Sequence, residues 1–152
     1  MKHITKKQNG FTLVELMVTI AIIGILSSVV LFSITQYINK SRDANIIGNL
    51  AILVSSGEVF YNSGQTYAGF CASSVVINAW NDIPKPSQLD CSSDAETPGL
   101  CCVEDSGGDA WVACAQLFVN SDKAYCVDSR GVKKQIDNSA CIGITASSPV
   151  CP

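Results

Sequence analysis

The apolar run from Phe11 to about Ile34 constrains this chain more than any other stretch. A transmembrane helix needs roughly 20 mostly apolar residues, and this run has them. It is interrupted by a single ionised residue, Glu15. A carboxylate near the start of such a helix is costly in lipid and marks a functional position with a nameable partner. The nearest cation available to it is the free amino group that Phe11 would carry if the chain were cut after Gly10. Acidic residues also suit a helix N-terminus, which supplies part of the compensation.

The leader before the run holds Lys2, Lys6 and Lys7. It has the basic end of a secretory signal, yet the plausible cut lies before the apolar run, so the run stays with the mature protein. The leader lysines favour a cytoplasmic N-terminus, although Lys40 and Arg42 on the far side weaken that asymmetry. The formal net charge is −3, and losing the leader makes the chain more acidic. Net acidity argues for solubility of the remainder and against general nucleic-acid affinity.

Gly10-Phe11-Thr12-Leu13-Val14-Glu15, with the leader before it and the apolar run after it, resembles the prepilin signature of type IV pilins and of the pseudopilins of type II secretion. The resemblance covers residues 2–50. It implies a membrane peptidase that cuts after Gly10 and N-methylates Phe11, and a Glu15 carboxylate paired with the terminal amine of a neighbouring subunit. The implied partners are identical or related pilin subunits in a helical polymer, the prepilin peptidase, the pilus assembly machinery and the cytoplasmic membrane before assembly. The precursor is then a single-pass membrane protein with its N-terminus inside, and the product an extracellular filament. The alternatives within the resemblance are a pseudopilin or a minor tip pilin acting in adhesion or DNA binding.

Past the run, Ile46, Leu50, Leu53, Gly57 and Phe60 recur at spacings of three and four, one face of a helix. The spacing predicts one helix to about Asn62, of about 50 residues or on the order of 75 Å. Its first half is apolar all round and its second half amphipathic. Ala21, Gly24 and Ser28 lie close to one face of the first half, where small residues allow close helix approach. Many relatives have a proline near position 32 that loosens this helix on assembly, and Phe32 stands there instead.

The remainder reads as a small head. Asn62 to Gly69 breaks the helix, and residues 73–80 predict a short second helix anchored by Trp80. Asp82 to Gly108, rich in Pro, Ser, Asp and Gly, predicts a long connection held by disulfides. Three strands follow as an antiparallel meander: Trp111–Val119, with Trp111, Ala113, Ala115 and Leu117 toward the helix, then Lys123–Asp128, then Val132–Ile136. Residues 138–152 read as a loop-like tail. The expected fold is α+β, with a leader at 1–10, a membrane and filament-core helix at 11–35, and a head at 36–152 that includes the second half of the long helix.

Eight cysteines, Cys71, Cys91, Cys101, Cys102, Cys114, Cys126, Cys141 and Cys151, all lie in that head. An even count confined to an exported part reads as a disulfide framework in an oxidising compartment. Spacing leaves the pairing open among 105 possibilities, except that adjacent Cys101 and Cys102 are expected to take different partners. The resemblance implies Cys141–Cys151, the short terminal loop of many type IV pilins. A zinc site would want C-x2-C pairs or histidines, and the only histidine is His3 in the leader. Glu104 to Asp109 is acidic enough to suggest calcium but matches no full loop pattern, and a solvated turn is the expectation. Arg130, Lys133 and Lys134 make a small basic group that suits a protected hairpin edge. No catalytic constellation assembles, no cofactor is expected, and the chain reads as a peptidase substrate and structural subunit.

Overall fold

A computed structural model describes residues 10–84 and 100–152. Helix α1 spans Leu13–Gly64, α2 Ser74–Asp82 and α3 Asn138–Ile142. The strands are β1 Leu100–Glu104, β2 Trp111–Gln116, β3 Lys123–Asp128 and β4 Lys133–Asp137. They form one antiparallel sheet in the order β1-β2-β3-β4. The chain divides into two units, one ending at Tyr37 and one beginning at Ile38. Residues 1–9 of the leader that the sequence predicts lie outside the described residues, as does Cys91.

The first unit contains the apolar start of α1. This helix is long and apolar enough to cross a membrane, and none of its most apolar window is buried within the chain. Such a segment needs lipid or other chains to cover it.

In the second unit, α1 turns Ile46, Leu50 and Leu53 inward at the helical spacing that the sequence displays, and all three are fully buried. They pack with Trp111, Ala113, Ala115 and Leu117, the alternate residues of β2 and its exit, and with Phe70, Val76 and Trp80 around α2. Alternation in β2 is what allows a single strand to serve this layer. Gly57 completes it, because a Cβ there would lie 2.7 Å from Trp111 Nε1. The indole thus packs against bare helix backbone.

Three local features differ from the sequence expectation. Among the described residues the sheet has four strands, since β1 forms inside the stretch expected to be a long connection. Its Leu-Cys-Cys-Val core is apolar once cysteines are counted as hydrophobes, which is how they behave when buried. The first meander strand stops at Gln116, where Phe118 and Val119 turn back to α1. The tail opens with α3, immediately after β4.

The opposite sheet face is a second buried layer of Cys101, Val103, Val112, Cys114, Ala124, Cys126, Ile136, Cys141, Ile144 and Cys151. Register places Cys101 beside Cys114 and Cys114 beside Cys126, one row across three strands. Cys114 bonds Cys141 of α3, and Cys126 bonds Cys151 of the tail. The expected Cys141–Cys151 bond is therefore incorrect. A short helix puts Cys141 over β2, while the chain end crosses to β3. On the other face Cys102 bonds Cys71. Cys101 is disulfide-bonded as well, so the adjacent pair diverges.

Candidate assembly site

The predicted processing and assembly residues fall on the start of α1. Gly10 and Phe11 precede the helix, and Phe11 is 80% exposed. Thr12 and Glu15 then form a reciprocal cap. The Thr12 N–H donates to Glu15 Oε2 at 2.9 Å, its hydroxyl donates to the same oxygen at 2.8 Å, and the Glu15 N–H donates to Thr12 Oγ1 at 3.3 Å. The Thr12 carbonyl also accepts the first helical bond, from Leu16. This is a capping box, which satisfies backbone donors that have no partner at a helix start.

That role was missed in reading the sequence, although Thr-x-x-Glu ahead of an apolar run is its signature. It gives Glu15 an intrachain function before any neighbour is considered. Both Thr12 bonds fall on Oε2, which leaves Oε1 for a second donor.

Downstream, Gly24 has open space at its Cα, and Ser28 donates its hydroxyl to the Ile25 carbonyl at 2.7 Å. Thr19 bonds back to Leu16 in the same way. These hydroxyls are satisfied inside their own helix, so the face of Ala21, Gly24 and Ser28 offers small side chains without a stranded donor.

In the head, charges expected only to mark the exit from lipid have specific work. Asp43 accepts the N–H groups of Phe118 at 2.6 Å and Val119 at 3.1 Å, and the Arg42 guanidinium lies 4.9 Å from the centre of the Phe118 ring. Together they bind the β2–β3 connection to α1. No local pattern announces this, because the partners are some 75 residues apart.

In the acidic stretch 104–109, Glu104 and Asp105 spend their carboxylates on backbone. Glu104 accepts from Gly69 and Cys71, while Asp105 accepts from Asp109 and Ala110 to close the β1–β2 turn. The Ala110 N–H, opposed by burial and helped by neighbouring backbone donors, holds the Asp105 carboxyl below the usual carboxylate range. The sulfurs of Cys101, Cys114 and Cys141 lie within 4.8 Å of one another. All three are in disulfides, so none is the thiolate that zinc requires.

Of the basic group, Arg130 pairs with Asp128 at 2.6 Å, and Lys133 and Lys134 occupy successive positions of β4, which face opposite sides of the sheet. Asp128 itself is fully buried and was not singled out in the sequence. Its Oδ1 accepts the N–H groups of Arg130 and Val132, and its Oδ2 accepts the Arg130 guanidinium and the Cys151 N–H. One carboxylate thus ties the β3–β4 turn to the chain end.

Comparison with known proteins bears on the N-terminal signature. Residues 5–31 match the model of the prokaryotic N-terminal methylation motif. The chain is 52% identical over 59 residues to Fimbrial protein Q of Moraxella bovis, covering 39% of this chain and 38% of that protein. It is equally identical over 59 residues to the type IV major alpha-pilin of the same organism, covering 39% and 37%. It is 31% identical over 64 residues to the type IV major pilin protein PilA of Myxococcus xanthus, covering 42% and 29%. The chain spans less than two fifths of the length of these relatives. No solved structure matches it. With the methylation motif at its start, pilins among its relatives, and a long helix leading into an antiparallel sheet, the chain is similar to type IV pilins over its N-terminal two fifths.

Proposed function

We propose that this chain is the structural subunit of a type IV pilus-like filament. It enters the cytoplasmic membrane as a precursor, is cut after Gly10 by a prepilin peptidase and methylated on Phe11, and is drawn by the pilus assembly machinery into a helical polymer of its own or related subunits. The observation that carries this reading is the start of α1, where a capped carboxylate opens an apolar segment that its own chain leaves uncovered. In the polymer, burial among neighbouring helices replaces lipid contacts, and the small-residue face of Ala21, Gly24 and Ser28 permits close approach.

Glu15 sets register by receiving the Phe11 amine of a neighbour on Oε1 while Oε2 retains the Thr12 cap. Replacing it by Val removes the acceptor for that amine. Breaking a buried ion pair this way costs about 3–5 kcal/mol. The expected phenotype of Glu15→Val is a subunit cleaved after Gly10, confirmed by mass spectrometry of its N-terminal peptide, with few or no filaments by electron microscopy. Normal filament yield from the processed variant would remove the mechanism. Intact Met1–Gly10 on exported wild-type protein would remove the processing step.

A further inference from the structure

The outer disulfide layer contains an arrangement that the filament role does not use. Cys101, Cys114 and Cys141 are 2%, 0% and 0% exposed, and their sulfurs form a single group within 4.8 Å. Two are joined as Cys114–Cys141, yet Cys101 is the direct register partner of Cys114 across the β1–β2 hairpin. Directly opposed residues in an antiparallel pair have Cα atoms about 4.5–5.5 Å apart, inside the range of about 4.4–6.8 Å that a disulfide spans. Cys114 therefore has two partners within reach, one set by strand register and one delivered by α3.

The geometry points to an intramolecular thiol–disulfide exchange centre, in which a Cys101–Cys114 bond forms first and is then converted to Cys114–Cys141. Cys101 and Cys114 lie on adjoining arms of one hairpin, whereas Cys114 and Cys141 are 27 residues apart. Closing the shorter loop costs less entropy. In the first step a disulfide of the thiol-oxidoreductase class takes two electrons and two protons from Cys101 and Cys114 and leaves as a dithiol.

In the second step α3 forms after β4 and brings Cys141 onto β2 and β3. The Cys141 thiolate attacks Cys114 Sγ. The Cys114–Cys141 bond forms, the Cys101–Cys114 bond breaks, and its electron pair leaves on Cys101 Sγ, which takes up the proton lost by Cys141. The exchange has no net redox change and needs no further oxidant. Cys101 is then released to its own final partner by a second oxidation of the same class. Burial of all three sulfurs keeps external thiols out of the finished layer, so the centre is active only while a thiol remains inside it.

The experiment is Cys141→Ser in the full chain, produced in an oxidising compartment and extracted in detergent, then acid-quenched, unfolded, alkylated and mapped by mass spectrometry. The expected result is a Cys101–Cys114 linked peptide in most molecules, with Cys114 protected from alkylation. An alkylated Cys114 beside an undisturbed Cys101 bond would overturn the proposal. Should the variant give mixed pairings, oxidative refolding of reduced wild-type chain in a glutathione buffer decides. Samples quenched in acid over time are expected to show Cys101–Cys114 rising and then falling as Cys114–Cys141 appears. Growth of Cys114–Cys141 with no preceding Cys101–Cys114 species would equally overturn it.

Discussion

Gly57 tests how tightly α1 is seated on the sheet. Alanine favours a helix interior over glycine by about 1 kcal/mol, so Gly57→Ala should stabilise the protein if helix propensity alone decides. Packing opposes this. The new Cβ would sit 2.7 Å from Trp111 Nε1, 2.9 Å from Cζ2 and 3.0 Å from Cε2, and the first two are shorter than real Cβ contacts. Trp111 has no exposed surface and is wedged among Tyr67, Phe70 and α1, so it cannot swing aside without disturbing two further rings.

Overpacking of this kind costs about 1–3 kcal/mol. Gly48, on the same helix with nothing within 4 Å of its would-be Cβ, provides the propensity term by itself. Gly48→Ala should therefore gain about 1 kcal/mol, and Gly57→Ala should fall below it by roughly 1–3 kcal/mol. For a head near 100 residues that gap is on the order of 4–12 °C in Tm. Urea and thermal unfolding of the detergent-solubilised chain, disulfides intact and followed by tryptophan fluorescence, reads it. A Gly57→Ala variant as stable as Gly48→Ala would show that Trp111 is not held against the helix as described.

Asp128→Asn should lower stability by about 1–3 kcal/mol in urea titration, because an amide NH2 would face donors that now share a carboxylate. Burial disfavours the Asp128 charge, but the Arg130 side chain and the N–H groups of Cys151, Val132 and Arg130 more than offset this and hold its carboxyl below the usual range. The resulting stabilisation is present above the unfolded carboxyl's pKa of about 3.9 and is lost as pH falls through the lower folded value. The wild type should therefore weaken in acid by more than Asp128→Asn does. Replacing Cys71 and Cys102 together by Ser should cost about 3–4 kcal/mol for a bond spanning 31 residues, read as a lower urea midpoint. Thr12→Ala should speed amide exchange in the first turn of α1 in detergent, consistent with losing a cap worth about 0.5–2 kcal/mol, and Thr12→Ser should restore it.

By itself the sequence determined whatever depends on neighbours along the chain. An apolar run with one acidic residue behind a basic stretch specifies a membrane-length helix. Ile46, Leu50 and Leu53 at helical spacing specify its buried face, and alternation from Trp111 to Leu117 specifies which side of β2 meets it. Tertiary structure alone decided what joins distant residues. Strand β1 was hidden because two of its four hydrophobes are cysteines and the run follows Ser, Asp and Gly, and only pairing with β2 shows it as a strand. The Cys114–Cys141 and Cys126–Cys151 bonds follow from sheet register and from where α3 and the tail cross it, neither of which spacing encodes. Asp43 and Asp128 look like any surface acids in sequence, and their value lies in backbone donors brought to them from far along the chain. Local periodicity carries the faces of elements, whereas the contacts between elements exist only after the chain has folded.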